Sequence, residues 1–233
     1  MSADSLRCDT GASADIAFFL ADSFTDYLAA RVLLLSGLPK QGAVLGSTAV
    51  EKSIKAVLAI ERTFIKSHVS QKHWDALVKM QPTLAAELRL DFILLCERVY
   101  LLRYTGDPPA GFNVVVASQE FLAELDETVC RIQLRFALTQ LGKVKQSAFD
   151  VARSTKDQRL WQGNCFLAGM SRTAQSHKPQ IVYEARQRQK RGALVELQYT
   201  SSTPAQQPGF LRPRAQLGSD GKSWTLSHVP DLQ

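Results

Sequence analysis

Apolar residues recur every three or four positions through the first 136 residues of this chain, and every second position after Pro179. A step of three or four keeps one face of a helix apolar, whereas a step of two does the same for a strand. This change of period excludes an all-β or wholly disordered protein. It predicts an α+β chain, mainly α, in which a helical part precedes a small antiparallel β region.

Four helices are expected. From Asp15 to Gly37 the stripe runs Ile16, Leu20, Phe24, Leu28, Val32, Leu35, with Gly37 and Pro39 closing the helix. From Gly42 to Ser67 there are two stripes, Leu45-Ala49-Ser53-Val57-Ile60-Phe64 and Val50-Ile54-Leu58. Two stripes mark a helix covered on more than one side, with Glu51, Lys55 and Arg62 on its remaining face. Pro82 opens a third helix carrying Leu84, Leu88, Phe92, Leu95, Val99 and Leu102, which stops at the breakers Gly106-Asp107-Pro108-Pro109. Ser118 is placed to cap a fourth, with Leu122, Leu125, Val129, Ile132 and Phe136 along it. The simplest packing is an up-down four-helix bundle.

Past Gly142 a short helix is expected within residues 146–163. A hairpin follows, of Ile181–Ala185 with Leu194–Tyr199, and further strands are expected at Phe210–Leu217 and Ser223–Val229. Charge divides at the same place. Residues 1–142 hold 14 Lys and Arg against 16 Asp and Glu, net −2, whereas residues 143–233 hold 14 against 6, net +8. We therefore divide the chain into a helical unit, 1–142, and a basic unit, 143–233, which is attracted to polyanions. Arg186, Arg188, Lys190 and Arg191 form its densest basic run and are the candidate nucleic-acid contacts.

Cys8, Cys96, Cys130 and Cys165 are far apart, with no Cys-x-x-Cys and no His at ligand spacing, so neither a metal nor another cofactor is expected. Asp4, Asp9 and Asp15 interrupt the first fifteen residues, unlike a secretory leader, and no run approaches the ~18 apolar residues of a membrane span. The expectation is a soluble, cytoplasmic protein without a membrane partner. Glycine-rich phosphate loops, G-x-S-x-G and H-E-x-x-H are all missing.

Two polar clusters remain. Glu51 and Lys55 form an i,i+4 pair in the favourable order, and Lys52 or Lys55 could sit beside a bound phosphate. Arg103-Tyr104, at the mouth of the Gly/Pro loop, could supply a planar fork for phosphate and a stacking face.

The order of these features, from Ala49-Val50-Glu51-Lys52-Ser53-Ile54-Lys55-Ala56-Val57-Leu58 through Lys72-His73 and Leu77 to Arg103-Tyr104, resembles the HEPN domain (higher eukaryotes and prokaryotes nucleotide-binding) over about residues 15–140. The resemblance implies a helical bundle that commonly dimerises and binds nucleotide or RNA. It points to a toxin–antitoxin, defence or stress-response setting, sometimes with a nucleotidyltransferase-type partner. Glu51, Lys52, Lys55, Arg103 and Tyr104 would bind the phosphate. A catalytic subset of the family cleaves RNA without metal through an R-x(4–6)-H motif, but after Arg103 no His occurs before His177. The spacing does occur at Arg62–His68 and Arg172–His177, about as often as chance gives for such short motifs. A binding module is thus expected ahead of a ribonuclease using His68 or His177, or of a purely protein-binding bundle.

Overall fold

A computed structural model describes residues 13–104, 108, 112–140, 143–171, 179–187 and 194–201. The elements run α1 (Ser13–Leu35), α2 (Pro39–Ala59), α3 (Gln71–Met80), α4 (Pro82–Glu87), α5 (Leu90–Tyr100) with a 3-10 turn at Leu101–Arg103, β1 (Asn113–Ala117), α6 (Ser118–Arg135), a two-residue ladder of β2 (Thr139–Gln140) and β3 (Lys143–Val144), α7 (Ala148–Ser154), α8 (Gln158–Trp161), β4 (Gln180–Arg186) and β5 (Val195–Ser201). The chain is mainly helical, with a three-stranded antiparallel sheet in the order β1-β4-β5.

α2 is central. It packs against α1, α3, α5 and α6 and against two strands of the sheet, and Ala49, Val50, Ile54, Val57 and Leu58 along it are fully buried. α1 and α2 form a tight hairpin. Gly37, at φ +79°, ends α1 with Leu38 N–H donating to Leu33 O at 2.9 Å, and a left-handed residue there suits glycine. Gly42 then allows the two helices to approach, since a Cβ there would lie 2.7 Å from Leu34 Cγ and 3.0 Å from its backbone nitrogen.

Several elements differ from the sequence expectation. α1 does not bury Val32, which is exposed; Tyr27, Arg31 and Leu34 are buried instead. Repeated steps of four advance the stripe by about 40° each on a helix of 3.6 residues per turn, so by Val32 it has left the core face. α2 ends at Ala59 rather than Ser67, in a turn where Arg62 takes φ +54° and Thr63 N–H donates to Leu58 O at 3.1 Å. The third expected helix is two: Leu88 (ψ 171°) and Arg89 are extended between α4 and α5, although its whole stripe, Leu84 to Leu102, is buried as expected. Ser118 does not cap α6. The N-cap is Ala117, and Ser118 Oγ accepts from Ile181 N–H of β4 at 3.2 Å.

The hairpin forms as β4 and β5, with Ile181 opposite Thr200 and Ala185 opposite Glu196. β1, which the sequence reading passed over, pairs with β4 from Asn113↔Arg186 to Ala117↔Val182. The helix expected within 146–163 is the pair α7 and α8. A reciprocal cap between Ser147 and Asp150 starts α7, and the chain turns at Lys156, φ +57°. Residues on both sides of position 142 thus share one sheet, and Phe149, Leu160, Val182 and Tyr183 join the same apolar cluster as α2, α5 and α6. The strands expected at 210–217 and 223–229 lie outside the described residues.

The interior also holds charge. Arg31 on α1 is completely buried and pairs with Asp126 of α6, while its Nε and Nη2 donate to Arg159 O (2.9 Å) and Gln162 O (2.6 Å). Tyr27 donates to Asp126 at 2.7 Å, and Asn164 donates to Tyr27 Oη at 3.1 Å. Burial opposes the charge on Arg31, but the Tyr27 and Asp126 oxygens overcome it and hold the guanidinium above its ordinary range. This network fastens the 159–164 segment onto α1 and α6.

Candidate functional site

The two polar clusters read from the sequence are linked by residues that lie between them in the chain. Glu51, mostly buried on α2, receives three contacts. Its Oε1 accepts from Lys55 Nζ at 2.6 Å. Its Oε2 accepts from Val69 N–H at 3.2 Å and faces His68 Nδ1 at 3.2 Å. A carboxylate can only accept, so Nδ1 is the donor in this contact, and in a neutral ring that tautomer leaves the lone pair on Nε2. The His68 side chain is 59% exposed, and its Nε2 has no hydrogen-bond partner among the described residues.

His68 stacks on Tyr100, the last residue of α5, with ring centroids 3.8 Å apart and planes at 26°. Tyr100 Oη in turn accepts from Arg103 Nη1 at 3.2 Å. The Arg103 guanidinium lies 5.8 Å from the Tyr100 ring centroid and 5.9 Å from that of Tyr104, within cation–π reach of both. Arg103 is exposed and Tyr104 is 49% exposed. Glu51, Lys55, Arg103 and Tyr104 therefore belong to one chain of contacts, Lys55–Glu51–His68–Tyr100–Arg103–Tyr104, which ends at an exposed cation and aromatic ring.

His73 lies under this chain. It is fully buried, with Nδ1 3.2 Å from Ser70 Oγ, and its Nε2 is buried with no partner among the described residues. Burial, reinforced by the nearby Lys55 cation, pushes its pKa down to about 4, so the ring is neutral at pH 7.

Lys52 does not join the group. One step along α2 turns a side chain by about 100°, and Lys52 instead reaches α1, where it pairs with Asp22 (2.6 Å) and Asp26 (2.7 Å). Burial opposes its charge, but those two carboxylates hold the ammonium above its ordinary value. Arg186 is also apart: it lies on β4 and pairs with Glu184 at 2.7 Å. Arg188, Lys190, Arg191 and His177 are outside the described residues. The residues missed by the sequence reading are Tyr100 and, as a connector, His68; the one available signal was that Tyr100 sits three positions before Arg103, on the same helical face.

Among the described residues no group of His, Cys, Asp or Glu is arranged to hold a metal ion, and no helix is long and apolar enough to cross a membrane. Comparison with family models, with curated proteins and with solved structures gave no match.

Proposed function

We propose that this protein is a HEPN-like nucleotide- or RNA-binding module, with α1, α2, the broken α4–α5 segment and α6 forming an up-down bundle that works as a homodimer in the cytoplasm. The observation that carries the reading is the stacked His68–Tyr100 pair leading to Arg103 and Tyr104. A guanidinium fork held close to two aromatic rings suits a phosphate group, and the exposed rings of Tyr104 and His68 suit a base. Lys55 contributes by neutralising Glu51, which would otherwise repel the phosphate. A toxin–antitoxin, defence or stress-response role, with a nucleotidyltransferase-type partner, belongs to the same reading.

The test is fluorescence anisotropy with a labelled RNA oligonucleotide at several salt concentrations. Binding should weaken steeply with salt, and Arg103→Ala with Tyr104→Ala should lower affinity at least tenfold without altering Tm. If the double variant binds as wild type does, the site reading is wrong and a protein-binding bundle takes its place.

One observation favours a second reading, a metal-independent ribonuclease. Glu51 takes Nδ1 of the largely exposed His68 and so leaves Nε2 for proton transfer with a 2′-hydroxyl. The Tyr100 ring links His68 to Arg103, whose guanidinium would stabilise phosphorane charge. Wild type would then cleave single-stranded RNA in chelator and His68→Ala would not.

A further inference from the structure

The segment between α2 and α3 has no assigned role in the site just described, although it delivers His68 to it. Along it, Thr63 and Ile65 are partly buried, Ile65 against the main core, while Arg62, Phe64, Lys66 and His68 are exposed. Inward and outward residues thus alternate from Arg62 to Lys66, after which Ser67 and His68 are both exposed. Phe64 is 55% exposed, between two cations two positions to either side. Most described cations elsewhere have a carboxylate partner, including Arg31, Lys40, Lys52, Lys55, Arg89, Arg131 and Arg135. Arg62 and Lys66 form no ion pair among the described residues, and Glu61 is the one acid between positions 60 and 70.

We infer that residues 62–68 form a strip for single-stranded nucleic acid, with Phe64 stacking a base and Arg62 and Lys66 holding the flanking phosphates, continuous through His68 and Tyr100 with Arg103. This rests on the binding reading above and specifies its ligand. Arg62 and Lys66 lie two positions to either side of Phe64, so a single strand crossing the ring meets a cation before it and another after it. An aromatic ring interleaved with cations holds single strands with little regard to sequence, because every base offers a π-face. A duplex keeps its bases stacked inside and has nothing to offer Phe64. A mononucleotide spans only one position of the strip.

The experiment is anisotropy with the full chain and labelled U12 RNA, T12 DNA and a 12-base-pair RNA duplex, with 5′-AMP as competitor. Single strands should bind at least tenfold more tightly than duplex or AMP, and comparison of RNA with DNA reports whether the sugar is read. Phe64→Ala should weaken single-strand binding about five- to hundredfold with an unchanged salt slope, and Phe64→Trp should retain it. Lys66→Gln should lower the slope of log K against log salt by about one. Full single-strand affinity in Phe64→Ala with an unchanged Tm, or equal affinity for duplex, overturns the strip. If Arg103→Ala weakens binding and Phe64→Ala does not, the strip fails and the module reading stands; if neither does, both fail.

Discussion

Arg31–Asp126 and His68–Glu51 are both pairs of a nitrogen base with a carboxylate from a separate element, yet they sit in opposite surroundings. The first is sealed among α1, α6 and the 159–164 segment, where both side chains are fully buried and backbone carbonyls accept from the Nε and Nη2 of Arg31. The second has a buried carboxylate, but its imidazole reaches solvent and hands the contact on through the buried Tyr100 ring to the exposed Arg103. A closed network can only hold elements together. An open one holds its inner member fixed and presents its outer member, which is what a ligand site needs.

The largest expected effect breaks the closed network. Arg31→Met leaves Asp126 buried without its cation and should cost about 3–5 kcal/mol in urea denaturation, whereas Arg31→Met with Asp126→Leu should recover much of that loss. If Arg31→Met alone is mild, the inner pair is not the fastener described. The open network should respond less. Glu51→Ala removes the acceptor of Lys55, His68 and Val69 N–H and should cost about 1–3 kcal/mol.

Glu120 tests what a buried carboxylate does without a cation of its own. It accepts from Gln180 Nε2 at 3.0 Å, and burial raises its pKa to about 8. Its folded pKa lies above its unfolded value, so this contribution to stability is complete below about pH 4.5. It is lost as pH rises toward 8, with a slope of at most about 1.4 kcal/mol per pH unit. Glu120→Gln should flatten that decline in thermal melts between pH 5 and 8.5. An unchanged slope would show that Glu120 ionises freely.

The smallest effect lies at the start of the outer strip. Arg62 holds a left-handed conformation that Gly37 adopts at the end of α1 without strain. Arg62→Gly should therefore raise stability by up to about 1 kcal/mol while lowering single-strand affinity. A variant that loses stability would remove the helix-end account of this turn.

Much of the fold was legible because helical periodicity survives even where the helix breaks. Leu84 to Leu102 are buried across the Leu88–Arg89 interruption since both pieces turn the same side inward. β1 was not legible: Val114, Val115 and Val116 are all buried, so no alternation marks them as a strand. For the site, the i,i+4 spacing disclosed Glu51–Lys55, and the cation at a helix end disclosed Arg103. The connection between them was hidden, because His68 lies in an irregular segment whose path no periodicity reports, and Tyr100 reads as one more core aromatic. Lys52 shows the reverse: adjacent to Glu51 in sequence, it is turned by one helical step to the acids of α1.

The central claim is that the contacts from Glu51 to Arg103 end in a ligand-binding edge. It is tested most directly by following the imidazole Cε1–H resonances of the histidines by NMR during titration with U12 RNA. The account predicts a progressive shift of the His68 signal, lost in Arg103→Ala, while the buried His73 signal stays in place. Saturable RNA binding that leaves His68 unmoved would contradict it.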